Sequence, residues 1–370
     1  MRKPLFIFKD GYLKRKQNTI YFQESTQRNI EELDNIEKFD DNHLDNCEDT
    51  DSKDLNNQNQ RSSKNINKKY IPFNAINEIH IFSNSFYITK KFLDFVSKHN
   101  ILVHFYNYYG YYEGTYYPRE FYNSGFILLK QVEHYLDTNK RVFLAKAITI
   151  GAILNSLRIL NYYKNRGYDL DYEISSISIF LEKVNGCKNI EELMAYEGNS
   201  KAIYYRAFNK IMRNEDFYFD KRSKRPPADK INALISFGNS YLYSICLSEI
   251  YRTHLDPRIG FLHSATYRKF SLNLDISEIF KPVIVDRTIF TLVNKKIISA
   301  DDFNEDSGIT YLNEDGKKKF IKYLEERLNT TINLKKINKV SYRRVIRMEL
   351  YKLEKHLIGE EDFEPFVSDW

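Results

Sequence analysis

Cysteine is scarce in this chain, and its three copies follow no pattern that binds zinc or builds a disulfide framework. Cys47, Cys187 and Cys246 are scattered through 370 residues. We therefore expect a reducing, cytoplasmic environment. A charged-then-apolar signal peptide is also lacking, and no apolar run approaches the length of a bilayer crossing. We expect no association with a membrane.

Several common catalytic motifs are missing as well. The chain has neither a P-loop nor a dinucleotide fingerprint, and it contains no GxSxG sequence. No internal repeat and no heptad run is present. Function therefore has to be sought in less stereotyped groups of polar residues.

Charge is abundant, with an excess of positive sign. Lysine and arginine total 56 against 50 aspartate and glutamate residues, which gives a net charge of +6. Residues 24–69 run against this excess, because they hold 12 acidic and 7 basic side chains. The rest of the chain is thus more basic than the whole, which favours a polyanionic partner. Since 24–69 is polar and poor in apolar residues, we predict a disordered insertion there.

The apolar pattern changes from strand-like to helix-like near residue 120. Before it, aromatic and β-branched runs at 3–23, 77–82 and 100–106 predict strands, with a short helix over 88–98. After it, apolar residues recur every three or four positions. This spacing predicts helices at 121–136, 140–166, 173–185, 189–213, 229–253, 271–280, 282–296, 315–329 and 337–358. We therefore predict an α+β chain, with a small N-terminal β domain at 1–120 and a larger all-helical domain at 121–370.

A tyrosine-rich segment, FYNYYGYYEGTYYPRE, spans residues 105–120 at this boundary. Gly110 and Gly114 among the tyrosines favour a hairpin or a loop with aromatic walls. Such walls suit a packed edge or a dimer contact, and also the stacking of nucleotide bases. We favour the packed edge.

The stretch from 254 to 287 holds the strongest candidates for chemistry. His263 closes an apolar, glycine-containing run, and Asp275 and Glu278 follow on one face of a predicted helix that Ser271 is expected to cap. An imidazole and two carboxylates can converge on a divalent cation such as Mg²⁺ or Mn²⁺. Two adjacent acids can equally be balanced by nearby basic residues such as Lys281, and spacing alone leaves both readings open.

Two further features extend this set. Glu197 is an isolated acid in a helix with small and apolar neighbours, which makes it a candidate inward-facing ligand or a plain surface residue. The stiff loop 221–230 is rich in positive charge and contains two prolines. It suits contacts with a phosphate backbone, or it is a solvated run of charge. The residues that we expect to contact the phosphate backbone are Arg222, Lys224 and Arg225.

These residues resemble a known family. The run LDPRIGFLH followed by SLNLDISEIFKPVIVDR is similar to the signature of the CRISPR-associated endonuclease and integrase of spacer acquisition, the first Cas protein. The resemblance extends to IFKDGYLKRKQNTIYF, HFYNYYGYYEGTYYPRE and RPPADKINALISFGNSYLY, so it spans nearly the whole chain except 24–69. The tyrosine-rich segment is most similar to the type I-B branch.

The resemblance implies a function and a site. It implies an N-terminal β domain that dimerises, a helical catalytic domain, and a higher complex with the small second Cas protein. It also implies a Mg²⁺ or Mn²⁺ centre at which double-stranded DNA is cut and joined. The family's metal ligands match Glu197, His263 and Glu278, with Asp275 one turn earlier as a further catalytic residue. Glu278 stands where many members have aspartate, and we expect it, rather than Asp275, to contact the metal.

Two alternatives belong to other classes. A non-catalytic scaffold for double-stranded DNA would bind with steep salt dependence and without a metal requirement. A general metal-dependent nuclease would cut DNA without joining it, and its gene would not lie beside a repeat array. The joining of a duplex with a free 3′-hydroxyl to repeat-containing DNA separates the integrase from both.

Overall fold

The computed structural model of the chain describes residues 2–24, 68–224, 226–265, 270–334 and 337–369. The predicted insertion therefore lies outside the described residues, except for Glu24, Lys68 and Lys69, which belong to strands. The chain forms two compact units. We call them the N-terminal unit, Met1–Tyr108 with Gly114–Arg119, and the helical unit, Tyr109–Glu113 with Glu120–Trp370.

Among its described residues, the N-terminal unit contains two four-stranded sheets and one α-helix. Its elements are β1 Lys3–Ile7, β2 Gly11–Lys16, β3 Thr19–Glu24, β4 Lys68–Pro72, β5 Ile76–Ile81, β6 Phe86–Ile88, α1 Lys90–Lys98, β7 Leu102–Tyr106 and β8 Tyr112–Tyr116. One sheet has the order β1-β5-β7-β8, in which β5 pairs in parallel with both β1 and β7. The other has the order β4-β3-β2-β6, in which β3 is antiparallel to both neighbours.

Alternation along the strands places the core of this unit. Side chains of successive strand residues point to opposite faces of a sheet. Ile79, Ile81 and Val103 share one face and enter the apolar cluster that also contains Leu13 and Phe92. The opposite face of β5 and β7 carries polar groups, which are described below.

The helical unit contains nine helices among the described residues. They are α2 Gly125–Leu136, α3 Thr138–Lys164, α4 Asp171–Gly186, α5 Ile190–Met212, α6 Lys230–Ile250, α7 Leu272–Lys281, α8 Arg287–Asn294, α9 Glu314–Asn329 and α10 Tyr342–Leu357. Strands followed by a large helical region confirm the α+β class. The long helix α3 packs against α4, α5 and α7, and α6 packs against α7 from another side. These contacts fix the relative positions of α5 and α7, which carry the candidate site.

The helical unit is not wholly helical. Among the residues that the structure describes, two short antiparallel strand pairs interrupt it, β9 Phe303–Asp306 with β10 Ile309–Leu312, and β11 Thr331–Leu334 with β12 Ile337–Ser341. The predicted helix 337–358 therefore begins five residues later, at Tyr342. Strands of four or five residues are too short for periodicity to distinguish them from a helix end.

Helices α7 and α8 are joined by a π turn over Pro282–Asp286. Proline lacks a backbone N–H and cannot donate to the turn before it. A wider π turn occurs mostly as such a local irregularity, frequently at functional sites. Asp286, at the end of this turn, is buried and points into the cavity described next.

Among the described helices, α3 is the one long and apolar enough to cross a membrane. The expectation that no apolar run reaches this length is therefore wrong for α3. Most of the apolar stretch is buried inside the helical unit. That burial is typical of a central core helix.

The tyrosine-rich segment supplies packed aromatic rings. Within the helical unit, Tyr109 packs edge-on against Tyr311, with ring centroids 5.2 Å apart. Gly110 follows with φ +86°, and a Cβ atom there would lie 2.5 Å from the ring of Phe237. A residue with a side chain is thus excluded twice, by the backbone conformation and by the close approach. These contacts agree with the packed edge that the sequence favours.

Candidate active site

The candidate site lies where helices α5 and α7 face each other. Helix α5 begins after Asn189, whose side-chain oxygen accepts the N–H of Glu192 at 2.9 Å and so fixes the register of the helix. On α7, Ile276 and Ile279 are buried in the core. Because these apolar residues fix the orientation of α7, its acidic residues lie beside α5 and the preceding loop.

A lysine lies between the two glutamates expected to bind metal. Lys201 forms ion pairs with Glu197, one turn earlier on α5, and with Glu278 on α7. Lys281 adds a second ion pair to Glu278, with Nζ 2.6 Å from Oε1. Burial would raise the pKa of Glu278, but Lys201, Lys281 and His263 outweigh it and hold that pKa well below the usual range. The two carboxylates therefore converge on one positive charge.

Asp275 has a different environment from Glu278. It is fully buried, and its oxygens accept the backbone N–H groups of Phe261 at 2.5 Å, Leu262 at 3.0 Å and His263 at 2.9 Å. Oδ1 also lies 2.8 Å from Nδ1 of His263. The carboxylate thus fixes both the loop that carries His263 and the ring itself.

The His263 ring is held in a charged environment. Burial lowers the pKa of His263, but the hydrogen bond and charge of Asp275, with the charge of Glu278, outweigh it and raise that pKa overall. Asp275, which holds the ring, stands one turn before Glu278 on α7, so the imidazole lies beside the part of the helix that carries Glu278. The imidazole is therefore a third potential ligand beside the two converging glutamates.

The loop before His263 is packed tightly on α7. Ser271 occupies the N-cap position of α7, as predicted, but its side chain makes no capping hydrogen bond. Its Oγ instead accepts the N–H of Gly260 at 2.8 Å and donates to the carbonyl of Arg258 at 2.7 Å. A Cβ atom on Gly260 would lie 2.7 Å from Oδ2 of Asp275. Only glycine allows this approach, so Gly260 and Ser271 together position the loop.

A small cavity opens beside the converging glutamates. It is lined by Glu197, Lys201, Tyr204, Glu278, Lys281 and Asp286, among others. Burial raises the pKa of Asp286 to about 7, despite the neighbouring Tyr204 and lysines, which lower it. The cavity thus brings three carboxylates and two ammonium groups together. Such a concentration of mutually perturbed groups is typical of functional sites.

The residues predicted to contact the DNA backbone differ in their surroundings. Arg222 donates to Asn232 at 2.7 Å and to Ser236 at 2.9 Å, so its guanidinium is held against α6. Lys224 is accessible to solvent, and partial burial together with the charges of Lys201 and Arg222 lowers its pKa. Arg225 lies outside the described residues.

The structure brings the predicted site residues together without assembling a closed set of ligands. Glu197 and Glu278 meet at Lys201, and His263 lies near Glu278 but is bonded to Asp275. Among the described residues, one trio brings three potential ligand atoms within 4.8 Å of one another, and it is a different one, Glu78, His80 and His104. Two carboxylates and an imidazole nevertheless suit Mg²⁺ or Mn²⁺. The ammonium between the carboxylates shows that this position accommodates a cation.

Sequence reasoning overlooked Lys201 and Asp286. Lys201 stands four residues after Glu197, so the two side chains share a helix face, and this spacing was a usable signal for Lys201. Asp286 stands eight residues after Glu278, but the π turn that ends at Asp286 changes the helical phase between them, so spacing alone did not place Asp286.

Comparisons with known proteins identify the family of the chain. Residues 52–326 match the family described as CRISPR associated protein Cas1. A curated protein from Thermodesulfovibrio yellowstonii, named CRISPR-associated endonuclease Cas1 2, is 46% identical over 371 residues and covers 100% of both chains. The match thus extends over the whole chain.

Solved structures show the same fold. A CAS1 protein from Thermotoga maritima is 39% identical, with a TM-score of 0.79 over 98% of this chain and 99% of that chain. A casposase bound to its integration product superposes with a TM-score of 0.82 over 100% of this chain and 95% of that one. At 20% identity, the second likeness concerns the fold alone.

Proposed function

The chain belongs to the Cas1 family of CRISPR-associated proteins, and we propose that it is a metal-dependent DNA endonuclease and integrase. In this proposal it inserts short duplexes of foreign DNA into a CRISPR repeat array, as part of antiviral defence. One observation carries the proposal. Glu197 and Glu278, from two helices, converge on the ammonium group of Lys201, and His263 lies on the neighbouring loop. The chain as a whole carries a basic excess.

We assign the metal ligands to Glu197, Glu278 and the Nε2 atom of His263. A bound Mg²⁺ or Mn²⁺ would polarise the scissile phosphate and neutralise charge on the leaving oxygen. Asp275 orients His263 through the 2.8 Å contact to Nδ1, which leaves Nε2 as the ring nitrogen for the metal. Lys201 and Lys281 supply positive charge to the carboxylates when the ion is absent.

The reaction breaks one phosphodiester bond and forms another. A 3′-hydroxyl of the incoming duplex attacks a phosphate at the edge of the repeat, and the 3′ oxygen of the repeat strand leaves. With water as nucleophile, the same site hydrolyses DNA. Lys224, with Arg225, would contact the DNA backbone, while Arg222 supports the loop through Asn232 and Ser236.

The remaining assignments follow from membership of the family. We propose that the protein works in the cytoplasm as a homodimer, and in a complex with the small second Cas protein. In this scheme the region 1–120 forms the dimer contact, and the region 121–370 holds the catalytic site. The basic excess of the chain favours double-stranded DNA as substrate.

A joining assay tests the proposal. The purified full chain, with and without the small partner subunit, is incubated with a 3′-hydroxyl duplex and a repeat-containing plasmid, in Mg²⁺, Mn²⁺ or a chelator. We expect joined product only with metal, and its loss in Glu197→Gln and His263→Asn. Glu191→Gln, an exposed acid on the same helix, is the matched control and keeps activity.

Three outcomes contradict the proposal in different ways. Full joining by Glu197→Gln or His263→Asn would overturn the site assignment. Metal-independent DNA binding without any joining would favour a scaffold. Metal-dependent cutting that never yields joined product would favour a general nuclease.

A further inference from the structure

A second group of potential metal ligands lies in the N-terminal unit. Glu78, His80 and His104 are all fully buried. Each offers one ligand atom, and the three atoms lie within 4.8 Å of one another. None of these residues takes part in the site on α5 and α7.

Strand pairing brings the trio together. Glu78 and His80 are two residues apart on β5 and therefore share a face of the sheet. His104 on β7 is the register partner of His80, and the two rings stack with centroids 4.9 Å apart. The opposite face of both strands is apolar core. The polar trio is thus a built feature of one sheet face and does not depend on flexible loops.

Both rings are anchored by hydrogen bonds at Nδ1. In His80 this atom lies 2.9 Å from the hydroxyl of Tyr106, and in His104 it lies 2.7 Å from Oγ1 of Thr115. The Nε2 atom of His80 lies 3.5 Å from Oε1 of Glu78. Imidazoles that bind metals generally have the other ring nitrogen hydrogen-bonded in this way, which fixes the tautomer and the ring orientation.

The spacing suits a tetrahedral ion. Ligand atoms at 2.0–2.2 Å from one zinc lie about 3.4 Å apart. Nε2 of His80 and Oε1 of Glu78 lie 3.5 Å apart, close to this value, and the ligand atom of His104 lies within 4.8 Å of the ligand atoms of the other two residues. Two imidazoles and one carboxylate favour a borderline ion such as Zn²⁺, whereas Mg²⁺ prefers oxygen ligands.

The energetics point in the same direction. A buried carboxylate such as Glu78 is stabilised by positive charge close to it. A divalent ion would neutralise Glu78 and use both rings as neutral ligands. We propose that Glu78, His80 and His104 form a zinc site that ties β5 to β7 and is separate from the catalytic centre.

Metal analysis of the full chain tests this proposal. Tag-free protein is stripped with a chelator, exposed to Zn²⁺, desalted and analysed for bound zinc by mass spectrometry. We expect the wild type to retain one zinc that His104→Gln and Glu78→Gln lose. His99→Gln, in the same unit, and His263→Asn, in the helical unit, should retain it.

A spectroscopic measurement on the wild type guards against variants that fail to fold. X-ray absorption at the zinc edge should show two imidazoles and a carboxylate oxygen in the first coordination shell. A shell without imidazole would overturn the proposal. So would a wild type that retains no zinc, or a folded His104→Gln variant with the zinc content of the wild type. Activity of the α5–α7 site does not enter any of these readouts.

Discussion

Asp275 holds His263 at two points, through the backbone N–H at 2.9 Å and through Nδ1 of the ring at 2.8 Å. A carboxylate only accepts hydrogen bonds, so Nδ1 must carry the ring proton and Nε2 is left as the basic nitrogen. The pair therefore fixes the tautomer that a metal ligand or a proton acceptor requires. Asp275 acts on the site through His263.

We expect Asp275→Asn to be strongly damaging. An amide replaces one acceptor with a donor, so at least one of the N–H groups of Phe261, Leu262 and His263 loses its partner. The free energy of unfolding should fall by about 2–4 kcal/mol, and metal affinity or joining by roughly 10–100-fold. Denaturant unfolding and the joining assay measure these effects.

A double-mutant cycle tests whether Asp275 acts through His263. If it does, Asp275→Asn combined with His263→Asn should join DNA no less than His263→Asn alone. Independent, additive losses in the double variant would instead indicate that Asp275 contacts the metal or the substrate.

Lys201→Met should destabilise the metal-free protein and increase the stabilisation that Mn²⁺ provides. Without the ammonium, Glu197 and Glu278 lose their shared cation, and the metal-free protein should melt at a lower temperature. Mn²⁺ no longer competes with the lysine, so it should raise the melting temperature by more than in wild type. Thermal unfolding across a Mn²⁺ titration measures both changes.

The control for this experiment lies on the same helix. Lys210 pairs with the buried Glu173, away from the cavity. Lys210→Met should lower the melting temperature without enlarging the response to Mn²⁺. An equal response to Mn²⁺ in Lys201→Met and wild type would show that the ion does not occupy the space between the glutamates.

Replacing Arg222 or Lys224 by alanine should affect different properties, stability for Arg222 and DNA binding for Lys224. Arg222→Ala removes the guanidinium donor to Ser236 and one of the two donors to the side-chain oxygen of Asn232, which keeps the N–H of Ser223, so the free energy of unfolding should fall by about 1–3 kcal/mol. Lys224→Ala should keep stability but lower the slope of log binding constant against log salt by about 0.9. Unfolding curves and DNA titrations at several salt concentrations distinguish them, and an unchanged slope for Lys224→Ala would remove it from the DNA contact.

Lys317 on α9 gives a pH-dependent prediction away from the site. Burial lowers its pKa from 10.5 to about 8, an effect that Glu314 opposes. Because the folded pKa is the lower one, the charged form opposes folding below pH 8, and this penalty disappears as the pH approaches 10.5. Lys317→Met should therefore add roughly 1–3 kcal/mol to the free energy of unfolding at pH 7, and less at pH 10.

Unfolding measured at both pH values checks the sign. Lys322 is exposed on the same helix and serves as the matched control. Its replacement by methionine should change stability little at either pH. A gain for Lys317→Met that grows with pH would contradict the assigned direction.

The helices were largely predictable, because they depend on local periodicity. Their predicted and observed bounds differ by a few residues, as for 140–166 against Thr138–Lys164. Residues 337–341 were misassigned, because pairing with β11 makes them a strand and this partner is not encoded locally. Hairpins of this length depend on their tertiary surroundings more than on propensity.

For the candidate site, the sequence predicted a group of residues but not their contacts. The pattern grouped His263, Asp275 and Glu278, and the family resemblance added Glu197, so their role as a site stays a prediction. The sequence could not show that the carboxylate of Asp275 accepts hydrogen bonds from backbone N–H groups, or that Lys201 lies between the glutamates. The trio at Glu78, His80 and His104 was missed, because the parallel register of β5 and β7 brings together residues far apart along the chain.

The pairing of β3 with β4 has a consequence for the evolution of the chain. Gln23 and Lys68 are register partners on neighbouring antiparallel strands, so the two ends of the intervening stretch start from adjacent points. The entropic cost of closing such a connection grows only with the logarithm of its length. Relatives can therefore lengthen, shorten or replace this stretch almost freely, and a new segment could be grafted between these strands while the sheet keeps its register.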